Sequence, residues 1–205
     1  MLKFHRLVPR RGYYILWAGY SLPRPNPVFM QRSLLILAFF AASSVPVAGQ
    51  APQAARVDYL DAVARFFSLP SNEVSILSEW EISADEIPVV LFVARRSGVS
   101  PEALVALRQA GQSWSVLAAR YGVGSAALHV PVPDDAHAGA LDRAYDGYRS
   151  TPVERWSTIR LSHDEVVDIV NVRLISQSLG LPVARVIGET STSGSHVALY
   201  ERLKG

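Results

Sequence analysis

The chain has 205 residues, of which 49% are hydrophobic, enough for one domain with a packed core. It has no cysteine, which excludes a disulfide framework, a thiolate zinc site and a lipidated cysteine. The net charge of +2 hides an asymmetry: residues 1–49 hold six of the 20 Lys plus Arg and none of the 18 Asp plus Glu, so the remainder is net −4 and offers nucleic acid or an anionic membrane no electrostatic attraction.

Met30 to Gly49, MQRSLLILAFFAASSVPVAG, has the layout of an export signal. Arg32 is the positive end, Leu34 to Ala42 the apolar run, and Val47-Ala48-Gly49 the small residues a signal peptidase accepts, so cleavage is expected between Gly49 and Gln50. The run is too short for a spanning helix and ends at Ser43-Ser44-Val45-Pro46. The positive charges of Lys3, Arg6, Arg10, Arg11, Arg24 and Arg32 all precede it, which places the later chain outside the cytoplasmic membrane. Residues 1–29, ending in Pro23-Arg24-Pro25-Asn26-Pro27, read as an unstructured upstream extension. Met1 and Met30 are the only methionines, so translation is expected to start at Met30.

Residues 50–205 form the expected domain. Apolar residues recur there at helical spacing, and no alternating β-branched run suggests a sheet. The predicted elements are a helix over 54–67, with Val57, Leu60, Val63, Ala64 and Phe67 on one face; a shorter helix over 72–80; a break at His129 to Asp135, HVPVPDD, where two prolines exclude a helix; helices over 138–148 and 164–179; a helical turn after Thr151-Pro152; and a last helix over 195–203. The fold class is all-α, a compact bundle of short helices whose halves, about 54–128 and 136–205, join through the proline-rich loop.

The halves share text. Ser83-Ala84-Asp85-Glu86 and Ser162-His163-Asp164-Glu165 both fit the capping box, although Pro88 also allows Asp85 to be the cap. A finer pattern occurs three times, as Ala94, Gly98, Val99 and Leu104; Ala118, Gly122, Val123 and Leu128; and Ser176, Gly180, Leu181 and Val186. It predicts αα-hairpin corners in which a small residue permits close approach, glycine ends the first helix in a left-handed conformation, and the aliphatics close over the core. The halves are offset by 79 residues at the caps and 82 at the glycines, compatible with two diverged copies.

Residues 92–111, FVARRSGVSPEALVALRQAG, resemble the helix-turn-helix of bacterial DNA-binding proteins, and residues 116–130 a shorter version. The resemblance puts base-reading positions at Ser100, Pro101, Glu102, Val105, Ala106 and Gln109, with Arg95, Arg96 and Arg108 near the backbone. Only the serine and glutamine suit a base edge, and Glu102 would meet phosphates unfavourably. An exported chain is not expected to bind DNA. The overall organisation is similar to that of exported bacterial helical proteins, a likeness that implies no activity.

Chemistry is sparse. His129, Asp135 and His137, near the break, are the weak candidates for a metal site, although loop aspartates also cap helices. His163-Asp164 is similar to the HD pair of metal phosphohydrolases without the further histidines those sites need, and its capping box accounts for it. Thr190 to His196, TSTSGSH, lacks a nucleophile elbow and suits a polar turn before the last helix. No phosphate-binding glycine loop is present. Trp80, Trp114, Trp156 and the tyrosines at 59, 121, 145, 148 and 200 suit either a core or a groove for glycan or peptide. The expectation is a periplasmic or secreted, non-catalytic interaction or structural protein, without cofactor or stable membrane span after cleavage, whose partner is a protein or an envelope component. A metal-dependent hydrolase is the enzymatic alternative, and a DNA-binding protein the alternative if the signal is misread.

Overall fold

The computed structural model describes residues 50–134 and 136–205; residues 1–49, with the expected export signal and its cleavage after Gly49, and Asp135 lie outside them. Every regular element among the described residues is helical. In order they are α1 (Gln50–Phe67), α2 (Ser71–Ser78), a 3₁₀ turn (Ala84–Glu86), α3 (Ile87–Ser97), α4 (Pro101–Gln109), α5 (Trp114–Arg120), α6 (Ser125–Leu128), a 3₁₀ turn (Gly139–Leu141), α7 (Asp142–Ser150), a 3₁₀ turn (Val153–Thr158), α8 (His163–Leu179), α9 (Val183–Thr190) and α10 (His196–Lys204). The all-α expectation holds, with boundaries shifted by a few residues.

The bundle is organised around α8. Val166, Val167, Ile169, Val170, Val172, Leu174 and Ile175 are all buried, and residues spaced this way cover every side of a helix, as an interior helix requires. α1, α3, α5, α9 and α10 pack around it. Ile87 to Val93 of α3 are likewise buried without interruption. Each such aliphatic side chain contributes about 1.5–3 kcal/mol relative to exposure. One apolar cluster runs through both sequence halves, so the proline-rich break divides the text and not the core.

The hairpin corners form as the pattern predicts. Gly98 and Gly180 adopt φ of 74° and 65°, and their amides donate to the carbonyls of Ala94 and Ser176. Leu104, Leu128 and Val186 are buried beneath the three corners. The two expected capping boxes part company. At Ser162 the box is complete, with Glu165 N donating to Ser162 Oγ at 3.1 Å and Ser162 N to Glu165 Oε2 at 2.7 Å. At Ser83 no cap forms. Pro88 in the first turn of α3 has no amide to be capped, and a 3₁₀ turn releases Asp85 and Glu86 for contacts elsewhere. This removes the caps as support for duplication.

Candidate functional site

Asp85 and Glu86 are adjacent and serve different helices. The Asp85 carboxylate accepts from the amides of His196 at 3.0 Å and Val197 at 3.2 Å, so it caps α10 rather than α3, where negative charge meets a helix N-terminus favourably. Glu86 Oε1 accepts from Arg108 Nε at 2.7 Å and Trp114 Nε1 at 3.0 Å, tying the 3₁₀ turn to α4 and α5. The Asp85 carbonyl also accepts from Asn171 Nδ2 of α8 at 2.8 Å, and the Tyr59 hydroxyl of α1 donates to Asn171 Oδ1.

His196 completes this node. Its Nδ1 lies 3.4 Å from Asp85 Oδ2 and its Nε2 3.2 Å from Asp168 Oδ1. These are ion-pair distances, and neither N–H points at its carboxylate well enough to make a hydrogen bond. Burial opposes charge on the ring, but Asp168 and Asp85 outweigh it and hold the pKa up at about 9. Burial likewise acts to raise Asp85, yet the adjacent His196 imidazolium and the amides of His196 and Val197 hold that carboxyl below its usual range. The node edges an open cleft of about 390 Å³ that also meets Ser83, Asp164 and His163. His163 Nδ1 accepts the Trp114 amide at 3.1 Å, which leaves its Nε2 as the protonated nitrogen, 3.5 Å from Glu86 Oε1. The protonated His196 therefore offers the cleft no basic nitrogen at neutral pH, and the acceptor nitrogen of His163 is already engaged by the Trp114 amide.

The metal candidates are placed differently. His129 is half-buried with its ring 4.2 Å from Trp156 and 4.7 Å from Tyr148, centroid to centroid. Burial and then Arg173 lower its pKa. His137 is exposed, and Asp135 is not described. Among the described residues no three His, Asp or Glu side chains gather as metal ligands. The TSTSGSH segment is the polar turn before α10, with Ser195 Oγ accepting the Ala198 amide at 3.1 Å.

Of the helix-turn-helix positions, one is buried in the core and two are engaged by hydrogen bonds. Val105 is buried, Ser100 Oγ accepts the Ala103 amide at 3.4 Å, and Gln109 Nε2 donates to the Trp80 carbonyl at 2.6 Å. Pro101 and Glu102 instead edge an apolar groove of about 400 Å³, with Phe67, Leu69, Ile76, Leu77, Trp80 and Leu91 among its lining. A second depression of about 330 Å³ shares Trp80 and Glu102 with it and continues over Val105 and Ala106. Ile76 keeps 47% of its surface exposed, and Trp80 is half-buried. Of the aromatics that suited either role, Trp114, Tyr59, Tyr145, Tyr148 and Tyr200 are core; Trp80 alone of those eight lines this groove.

Two backbone outliers adjoin the groove. Ser68 and Glu81, with φ of 53° and 54°, are the non-glycine residues with positive φ among those described, and they bracket α2. Such residues carry local strain. Trp80 suits either a core or a groove in sequence, because it and Ile76 have the helical spacing of core residues. A wider cavity of about 730 Å³ lies beside α5, α6 and the Val153–Thr158 turn, with Arg120 and Arg160 at its edge. No described helix is long and apolar enough to cross a membrane. No family model, curated protein or solved structure matches the chain.

Proposed function

We propose that this is an exported, non-catalytic interaction protein whose docking surface is the groove formed by α2, α3 and the start of α4. The observation that carries the reading is an apolar trough left open beside Trp80 and Ile76, whereas the wider cavity beside α5 is edged by Arg120, Arg160 and several hydroxyls. Exposed contiguous apolar surface of this kind marks interaction sites. The strained residues Ser68 and Glu81 at its border fit the same reading. The polar node argues in the same direction from the other side: its buried charges pair with one another, so it suits a tether between helices better than an acid–base centre. The export signal over Met30 to Gly49 supports a periplasmic or secreted location.

The test places a photo-reactive residue at position 76 in cells carrying a C-terminal tag, with the exposed Val153 as the control position. The expected result is a discrete heteroadduct from position 76 alone, in the envelope or medium fraction. No adduct at 76, or the same adducts from both positions, overturns the docking surface. A full-length cytoplasmic pool overturns export.

A further inference from the structure

We infer that the groove receives a basic amphipathic helix of a partner protein; this rests on the docking surface proposed above and names its occupant. Three observations carry it. The first is shape: the groove and the adjoining depression share Trp80 and Glu102, so they form one continuous open track from Ile76 to Ala106. The second is backbone chemistry. The described residues offer no strand edge for a partner strand, so an extended peptide would leave its amides unpaired against apolar side chains. A helix satisfies its own backbone and lays an apolar stripe into a trough between helices.

The third is charge. Glu73 and Glu102 line the groove, and Glu79, Glu81 and Glu102 line the depression. All four are exposed, and none has an ion-pair partner among the described residues. The basic lining residue, Arg95, is occupied: its Nη2 donates to the Phe67 carbonyl at 2.7 Å, and its guanidinium lies over the Phe67 ring. An apolar floor with an acidic border selects an apolar stripe flanked by Lys and Arg. The same border repels fatty acids and anionic lipid headgroups.

Two synthetic helical peptides of roughly 18 residues, five turns, provide the test. They share leucines at positions i, i+3, i+4 and i+7, with lysine on the polar face of one and glutamate on that of the other. Both are titrated into the protein as purified from the producing cell, into its Ile76→Asp variant and into a Glu79→Lys/Glu102→Lys variant. The expected result is binding of the lysine peptide at least about tenfold tighter than the glutamate peptide. That binding should be lost in Ile76→Asp, and the preference reversed or abolished in the double variant. Equal affinities, or a preference for the glutamate peptide, overturn the basic occupant and leave the docking surface standing. Binding of neither peptide overturns both. Lysine-peptide binding that survives Ile76→Asp places it elsewhere on the acidic surface and overturns the assignment to this groove. Circular dichroism of each variant alone separates lost binding from lost fold.

Discussion

The node around His196 and the groove beside Trp80 are both borders between short helices, and both are rich in acidic residues. They differ in what folding has done with those residues. Around His196 the carboxylates of Asp85, Glu86 and Asp168 are mostly buried and face a cation, an indole N–H or helix amides. Beside Trp80 the carboxylates are exposed and unpaired, next to apolar surface left open, among the described residues. Buried and paired charge is a device for holding helices in one arrangement, whereas exposed, unpaired charge around an apolar floor is surface left for another molecule.

The sharpest way to break this contrast is to remove the cation at the node. His196→Ala leaves Asp85 and Asp168 facing each other without their counter-charge, and loss of one member of a buried ion cluster costs about 3–5 kcal/mol. Denaturant unfolding is expected to show a loss of that size. A change below about 1 kcal/mol would make the node ornamental.

The pH dependence comes next. The folded pKa of His196 is about 9 against an ordinary 6.5, so its contribution is complete below about pH 6.5 and lost as pH rises through 9, on the order of 3 kcal/mol in all. The folded pKa of Asp85 is below the ordinary 3.8, so its contribution is present above that value and lost as pH falls through the depressed one. Stability is expected to be greatest between about pH 4 and 6.5 and to decline toward pH 9. Thermal melts across that range, compared with His196→Ala, check it: the variant should lack the alkaline decline.

At the groove the expected effects on stability are smaller and differ in sign. Ser68→Gly relieves a left-handed serine and should stabilise by roughly 0.5–1 kcal/mol, the strain removed less the added freedom of the unfolded chain, measured by chemical denaturation. Ile76→Asp lies on half-exposed surface and should change stability by no more than about 0.5 kcal/mol while removing binding.

The sequence disclosed the scaffold far better than either region. Gly98 and Gly180 announce their corners because left-handed backbone favours that residue, and the Ser162–Glu165 capping box announces the start of α8 locally. Asp85, Glu86 and His196 are uninformative in sequence because their partners lie up to 112 positions away. Ser83 to Glu86 also matched a local cap that Pro88 prevents, so the apparent local role concealed the tertiary one. Pro88 was the available signal, since a proline in the first turn removes an amide that a cap would serve. Trp80 was ambiguous for a different reason: helical spacing marks a face as apolar without stating whether this chain or another covers it.

The most direct measurement sets one variant from each region side by side, recording melting temperature and affinity for the lysine peptide in Asp168→Asn and Ile76→Asp. Asp168→Asn should melt several degrees lower, about 2–4 °C per kcal/mol lost in a domain of this size, and bind the peptide as the parent does. Ile76→Asp should melt within about 2 °C of the parent and fail to bind. If Asp168→Asn abolishes binding while still folded, or Ile76→Asp retains it, the division between a node that holds and a groove that binds is wrong.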